Sequence, residues 1–215
     1  TVFEVFLRTY PEFLEATLTT LKITAVALVL GTVLGLIFAL MKISRSKILQ
    51  TIANLYITII RGTPLIVQIM FLYFGITSLI VLSGFWAGAI ALGIHNGAYI
   101  AEIFRGAIQG IDKGQREASS SLGMTRAQSM RRIVFPQALK RSIPPLGNQF
   151  IITLKDSSLV YIISVPELFA MANREAAQSF QSLETYLVVG AYYLVLVIIF
   201  TYLLKLYENK LNVDK

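Results

Sequence analysis

Cysteine is absent from this chain, which excludes disulfides and thiolate-held metals and says nothing about compartment. There is a single histidine, His95, so no second imidazole is available to share a metal with it. Charge is scarce: 14% of the 215 residues are Asp, Glu, Lys or Arg, where a soluble domain carries about 25%. No Gly-x-x-x-x-Gly-Lys-[Ser/Thr] loop exists to cradle a nucleotide, and neither His-Glu-x-x-His nor Gly-x-Ser-x-Gly occurs. Any work against a gradient must draw on another chain or on an ion gradient.

What the chain has instead is apolar length. Hydrophobic residues make up 55%, gathered in runs that approach or exceed the ~20 residues a helix needs to cross ~30 Å of hydrocarbon. An integral membrane protein follows. A closed barrel needs strands that alternate polar and apolar faces, and these runs do not, so the expected class is all-α. Five transmembrane helices are expected in one domain over residues 1–215, at about 14–41, 48–82, 85–108, 143–164 and 183–206. The first run is too long for a signal-peptide core and is expected to stay as an anchor.

The net charge of +7 is a topology signal, with no nucleic acid implied. Lys42, Arg45 and Lys47 fill the first connection without an acid. Arg105, Lys113, Arg116, Arg126, Arg131, Arg132, Lys140 and Arg141 face only Asp112 and Glu117 in the third. Glu4, Glu12, Glu15, Glu167, Glu175 and Glu184 gather on the other side, against Arg8 and Arg174. The positive-inside rule then puts the N-terminus out and the C-terminus in.

The third connection, about 112–136, has a helical composition of its own. Gly123 is suited to the left-handed residue that ends a helix. Thr125-Arg126-Ala127-Gln128 reads as a capping box that starts another, and Pro136 ends that helix or opens the next span. Two short helices at a tight bend make a rigid knob. The competing reading is an amphipathic pair lying on anionic lipid.

Three ordered motifs mark a resemblance over nearly the whole chain. Glu117-Ala118, Gly123 six residues after the Glu, Ile133 and Pro136 resemble the EAA loop of ABC-importer permeases. Arg61-Gly62-Thr63-Pro64 and Leu154-Lys155-Asp156-Ser157-Ser158-Leu159 are similar to the polar amino-acid branch. Ser119 replaces the second Ala of the family motif, and Phe135 stands where Leu commonly precedes the Pro. The resemblance implies a permease subunit in a bacterial cytoplasmic (inner) membrane. Its partners would be a cytosolic ABC ATPase dimer, a second permease chain (the same or a paralogue) and an external solute-binding protein. No cofactor is expected in this chain; ATP and Mg would belong to the ATPase subunits. Glu117, Ala118, Leu122, Gly123, Met124 and Arg126 would form the coupling surface.

Polar residues at membrane depth are expensive and point to function. Arg61, Thr63 and Pro64 interrupt the second apolar run; Pro64 frees a carbonyl near Ile60, and Gln68 lies one turn on. Asn96 and Glu102 lie in the third, where Glu102 can pair with Arg105 at i+3 and His95 reads as a packing residue. Lys155, Asp156, Ser157 and Ser158 sit in the fourth. Together with Arg61 they could hold the carboxylate and ammonium of an amino acid. The expected solute is a polar amino acid, basic types such as arginine or histidine first and glutamine or glutamate next. A gradient-driven carrier or channel is the alternative. A membrane-embedded enzyme lacks the paired acids or metal site it would need.

Overall fold

A computed structural model describes residues 1–211, and no strand occurs among them. Helix α1 (Val2–Lys42) begins in a capping box made by Thr1 and Glu4, twelve residues before the expected start of the first span. Helix α2 (Lys47–Gly62) follows an N-cap at Ser46.

The second apolar run is not one helix. After α2 the chain breaks, and α3 (Leu65–Met70), prolonged by a π-helical turn over Phe71–Gly75, leaves at 105° to it. Pro64 has no N–H and forces Thr63 into an extended conformation, φ −118° and ψ 143°. Residues 76–83 are turn and irregular chain rather than the end of a span.

Helix α4 (Gly84–Gln109) is continuous. The basic connection folds as α5 (Lys113–Ser121) and α6 (Arg126–Ser129), and a π-helical turn over Met130–Val134 joins α6 to α7 (Phe135–Asp156). Pro136 therefore opens α7, where its missing N–H is harmless. The fourth expected span also changes character: α7 gives way to a 3₁₀ segment, Ser157–Ile163, which stops at Ser164 with φ 60°. Helix α8 (Leu168–Ser179), which the apolar pattern did not suggest, precedes α9 (Ser182–Leu211).

Helices α1 and α9 are long and apolar enough to cross a membrane; the bent α2–α3 pair raises the number to three if it counts as one span. Helices α4 and α7 fall short for a physical reason. Helix α4 carries His95, Asn96, Glu102 and Arg105 among its apolar residues, and α7 carries Lys140, Arg141, Pro144 and Pro145, so the apolar run of each is interrupted.

The centre of the bundle is the contact between α1 and α4. A Cβ on Gly35 would lie 2.5 Å from Ile100 Cγ2, and one on Gly93 would lie 2.8 Å from Leu30 Cβ. Small residues let these backbones approach where no hydrophobic effect separates protein from lipid tails. Elsewhere Val5, Phe13, Leu168, Ala172 and Val188 bind α1 to α8 and α9. The fully buried Glu167 N-caps α8, accepting from Phe169 N at 2.9 Å, Ala170 N at 2.6 Å and Tyr193 Oη at 3.0 Å. Burial pushes this carboxyl up to about 7, against the pull of those three donors.

Candidate functional site

The two short helices of the basic connection are both capped, and so is the bend between them. Asp112 Oδ1 accepts from Gly114 N at 2.6 Å at the start of α5. At its end Gly123 adopts φ 76°, Gly123 N donates to Ser120 O at 2.9 Å, and Met124 N donates to Ser119 O at 3.1 Å. That pair of bonds is a Schellman turn. Thr125 then caps α6: its Oγ1 accepts from Gln128 N at 3.3 Å, and Gln128 Oε1 accepts from Thr125 N at 2.8 Å.

Ser119, the departure from the family motif, is buried inside the bend with its Oγ 2.6 Å from Ser129 Oγ. The hydroxyl there donates to Arg116 O at 2.8 Å and meets a second serine across the bend. On the outer surface Glu117, Ala118, Gly123 and Arg126 are exposed, Met124 is half-buried, and Leu122 is 78% exposed at the tip. Leu122 is thus an apolar side chain held out on an otherwise polar tip.

A second constellation lies along one face of α4. His95, Tyr99 and Glu102 follow each other at i, i+4 and i+7, and each meets a polar group from another helix. Gln68 Oε1 of α3 lies 3.1 Å from His95 Nδ1. Arg61 of α2 places its guanidinium 5.0 Å from the Tyr99 ring centre, a cation–π contact. Lys42 of α1 reaches Glu102 Oε1 at 2.6 Å, and Arg105 holds Oε2 at 2.7 Å. Lys42, Thr58, Arg61, Gly62, Tyr99 and Glu102 line an open cavity of ≈ 490 Å³.

The break beside this cavity is stapled by one side chain. Pro64 leaves the Ile60 carbonyl without its intrahelical donor, and Gln68 Nε2 donates to it at 2.9 Å while also reaching Thr63 Oγ1 at 2.8 Å. Gln68 can hold that orientation because His95 takes its other end. Gln68 and Thr63 also border a separate, mostly apolar hollow with Ile59, Val67 and Phe71.

The remaining polar candidates lie elsewhere. Asn96 is one residue, about 100°, round from His95 and is fully buried; its Oδ1 accepts from Gln149 Nε2 at 2.6 Å and Thr153 Oγ1 at 2.8 Å, bonding α4 to α7. Ser157 is buried too, donating to Leu154 O at 2.7 Å. Neither lines the cavity. Asp156 is half-buried beside Lys155. Lys155 and Ser158 open on another cavity of ≈ 500 Å³, walled by Phe169, Tyr186 and Tyr193. Arg61 and Lys155 therefore belong to different spaces. Lys42, Thr58 and Tyr99 are cavity members that sequence reasoning did not place in a site. The i−3 and i−7 spacing back from Glu102 to Tyr99 and His95 was the available signal. No group of three or more potential metal ligands occurs among the described residues.

Residues 9–213 match the family model described as "Binding-protein-dependent transport system inner membrane component". The arginine transport system permease protein ArtQ of Bacillus subtilis (strain 168) is 37% identical over 204 residues, covering 94% of this chain and 93% of that one. The glutamine transport system permease protein GlnP of Escherichia coli (strain K12) is 37% identical over 206 residues, with 94% of each covered. Among solved structures, an amino acid ABC transporter crystallised with histidines superposes at TM-score 0.91 and 40% identity, over 97% of this chain and 98% of that one. The MetNI methionine ABC transporter shares the fold at TM-score 0.82 and 19% identity.

Proposed function

Because the chain belongs to the family of inner-membrane components of binding-protein-dependent transport systems, we propose that it is the translocating subunit of an ATP-driven importer of a polar amino acid. Membership makes it an amino-acid ABC permease of the bacterial inner membrane, a transport subunit. The finer reading is ours. Five spans cross the membrane, N-terminus out and C-terminus in, with the α2–α3 pair as a broken second span. Two such chains enclose the path, an external solute-binding protein delivers the amino acid, and a pair of cytosolic ATPase subunits with their own Mg and ATP engages the knob.

The observation that carries this reading is the capped bend at Gly123, with Leu122 held out at its tip. A mechanical link has to be stiff, because a floppy loop would absorb the motion it should pass on. Glu117, Ala118, Leu122, Gly123, Met124 and Arg126 form the docking surface in this proposal.

The cavity at Arg61 and Glu102 is the proposed passage. Arg61 can take the α-carboxylate, and the Tyr99 ring and Thr58 flank it. Glu102 is already held by Lys42 and Arg105, so a basic side chain reaches a free acid here only by exchanging with one of them. A neutral side chain such as that of glutamine needs no exchange. Lys155 and Ser158 offer a second cation and hydroxyl in the other cavity.

The test is to reconstitute the chain with its ATPase and compare wild type with Gly123→Arg. At φ 76° any residue with a Cβ is strained, and arginine adds a long charged side chain to the docking surface. ATPase capture and solute-stimulated hydrolysis are expected to fall about tenfold or more, the scale of 1.4 kcal/mol of lost binding, with membrane insertion unchanged. Equal hydrolysis in the two proteins would remove the coupling role. Transport of arginine, histidine, glutamine and glutamate in the same preparation ranks the solutes.

A further inference from the structure

The cytosolic knob and the solute cavity are joined by one helix end, and two arginines hold it. The last carbonyls of α4 have no intrahelical donors and carry the negative end of the helix dipole. Arg116 of α5 donates from Nη2 to Ile108 O at 2.7 Å. Arg141 of α7 donates from Nη1 to Gly110 O at 2.6 Å. Both bonds are charge-assisted and hence among the stronger kind. Beneath them Ile108, Ile111, Val134 and Ala138 form one apolar cluster.

Helix α5 thus has two faces with separate tasks. Glu117 and Ala118 are exposed on the outer one, whereas Arg116 and Ser119 turn inward. From Ile108 the same α4 runs back to Glu102, Tyr99 and His95, less than two turns away at the nearest. Arg116 Nε is buried without an acceptor.

We propose that Arg116 and Arg141 are the transmission residues of this permease: they clamp the C-terminal end of α4, so that movement of the docked knob shifts the helix that carries the solute cavity. The proposal rests on the coupling role assigned above and names the route from docking surface to passage. Neither arginine touches ATPase or solute in this scheme; both act through α4.

The test measures solute moved per ATP hydrolysed in proteoliposomes, for wild type, Arg116→Gln, Arg141→Gln and the double variant. ATPase association and unstimulated hydrolysis are expected to persist, since both side chains lie away from the docking surface. Solute per ATP should fall about tenfold or more, the loss expected from one charge-assisted hydrogen bond, and Arg116→Lys should recover part of it. A ratio within about twofold of wild type in all three variants overturns the clamp while wild-type transport still upholds the importer. Wild type that never couples to the ATPase overturns both.

A second measurement covers variants that do not assemble. The chain has no cysteine, so spin labels can be placed at Gly106→Cys on α4 and Lys113→Cys on α5 in an otherwise wild-type complex. Clamped elements keep one distance between nucleotide-free and ATP-trapped states. A distance that changes between those states overturns the proposal.

Discussion

Ser119 and Ser129 face each other inside the knob, and their chemistry makes an unequal pair of mutations. Ser119 Oγ also donates to Arg116 O at 2.8 Å, while the only side-chain partner of Ser129 Oγ is Ser119. Removing Ser119 strands a buried hydroxyl, which costs about 1–3 kcal/mol; removing both hydroxyls strands none. Thermal unfolding of purified protein should therefore rank Ser119→Ala as the most destabilised, with Ser129→Ala milder and the double variant recovering part of the loss. Additive single effects would contradict the buried bond. The same residue shows what a motif can and cannot tell: Ser119 looks like a mild departure in sequence, and only the fold shows that it bonds Ser129, ten positions on. Ile60 is the opposite case. The proline chemistry points to its freed carbonyl directly, and Gln68 lies where it can fill it.

Among elements, α4 is the hub, and its closeness to α1 is what the glycines allow. Gly35→Val would drive side-chain atoms into Ile100 and toward the Ala101 backbone N, 3.0 Å from the Cβ position. Overpacking of this kind costs typically ~1–3 kcal/mol. Gly35→Val should lower the melting temperature and the yield of folded protein. Gly106→Ala, where nothing lies within 4 Å, should leave both intact. Equal tolerance of the two changes would mean that α1 and α4 are not in close contact. The existence of the helices follows from composition, and local punctuation at Gly123, Thr125 and Pro64 marks the breaks. Their pairing is another matter. Nothing in the local pattern tells α4 that Lys42, sixty residues earlier, will reach Glu102. Nor does it tell that His95 turns to Gln68 and Asn96 to α7, because that depends on the rotation of a helix surrounded on several sides. Helix α8 was invisible for a related reason: it is short, polar on one face, and held by Glu167 and by the Arg8–Glu175 pair at 2.6 Å.

At the scale of the molecule, the connection between α4 and α7 presents a capped knob, and an open cavity elsewhere is lined by Lys42 and Arg61. The arginine clamp on α4 lies between them. In the proposed reading the driving force arrives at the knob from another protein. A gradient-driven carrier would take up solute without nucleotide. Radiolabelled amino-acid uptake into proteoliposomes separates the two. The complex is reconstituted with binding protein outside and with MgATP sealed inside, in the absence of any ion gradient. A parallel sample has a proton or sodium gradient and no ATP. An ATP-driven permease accumulates solute in the first sample and not in the second. Uptake that follows the gradient and ignores the nucleotide would contradict it.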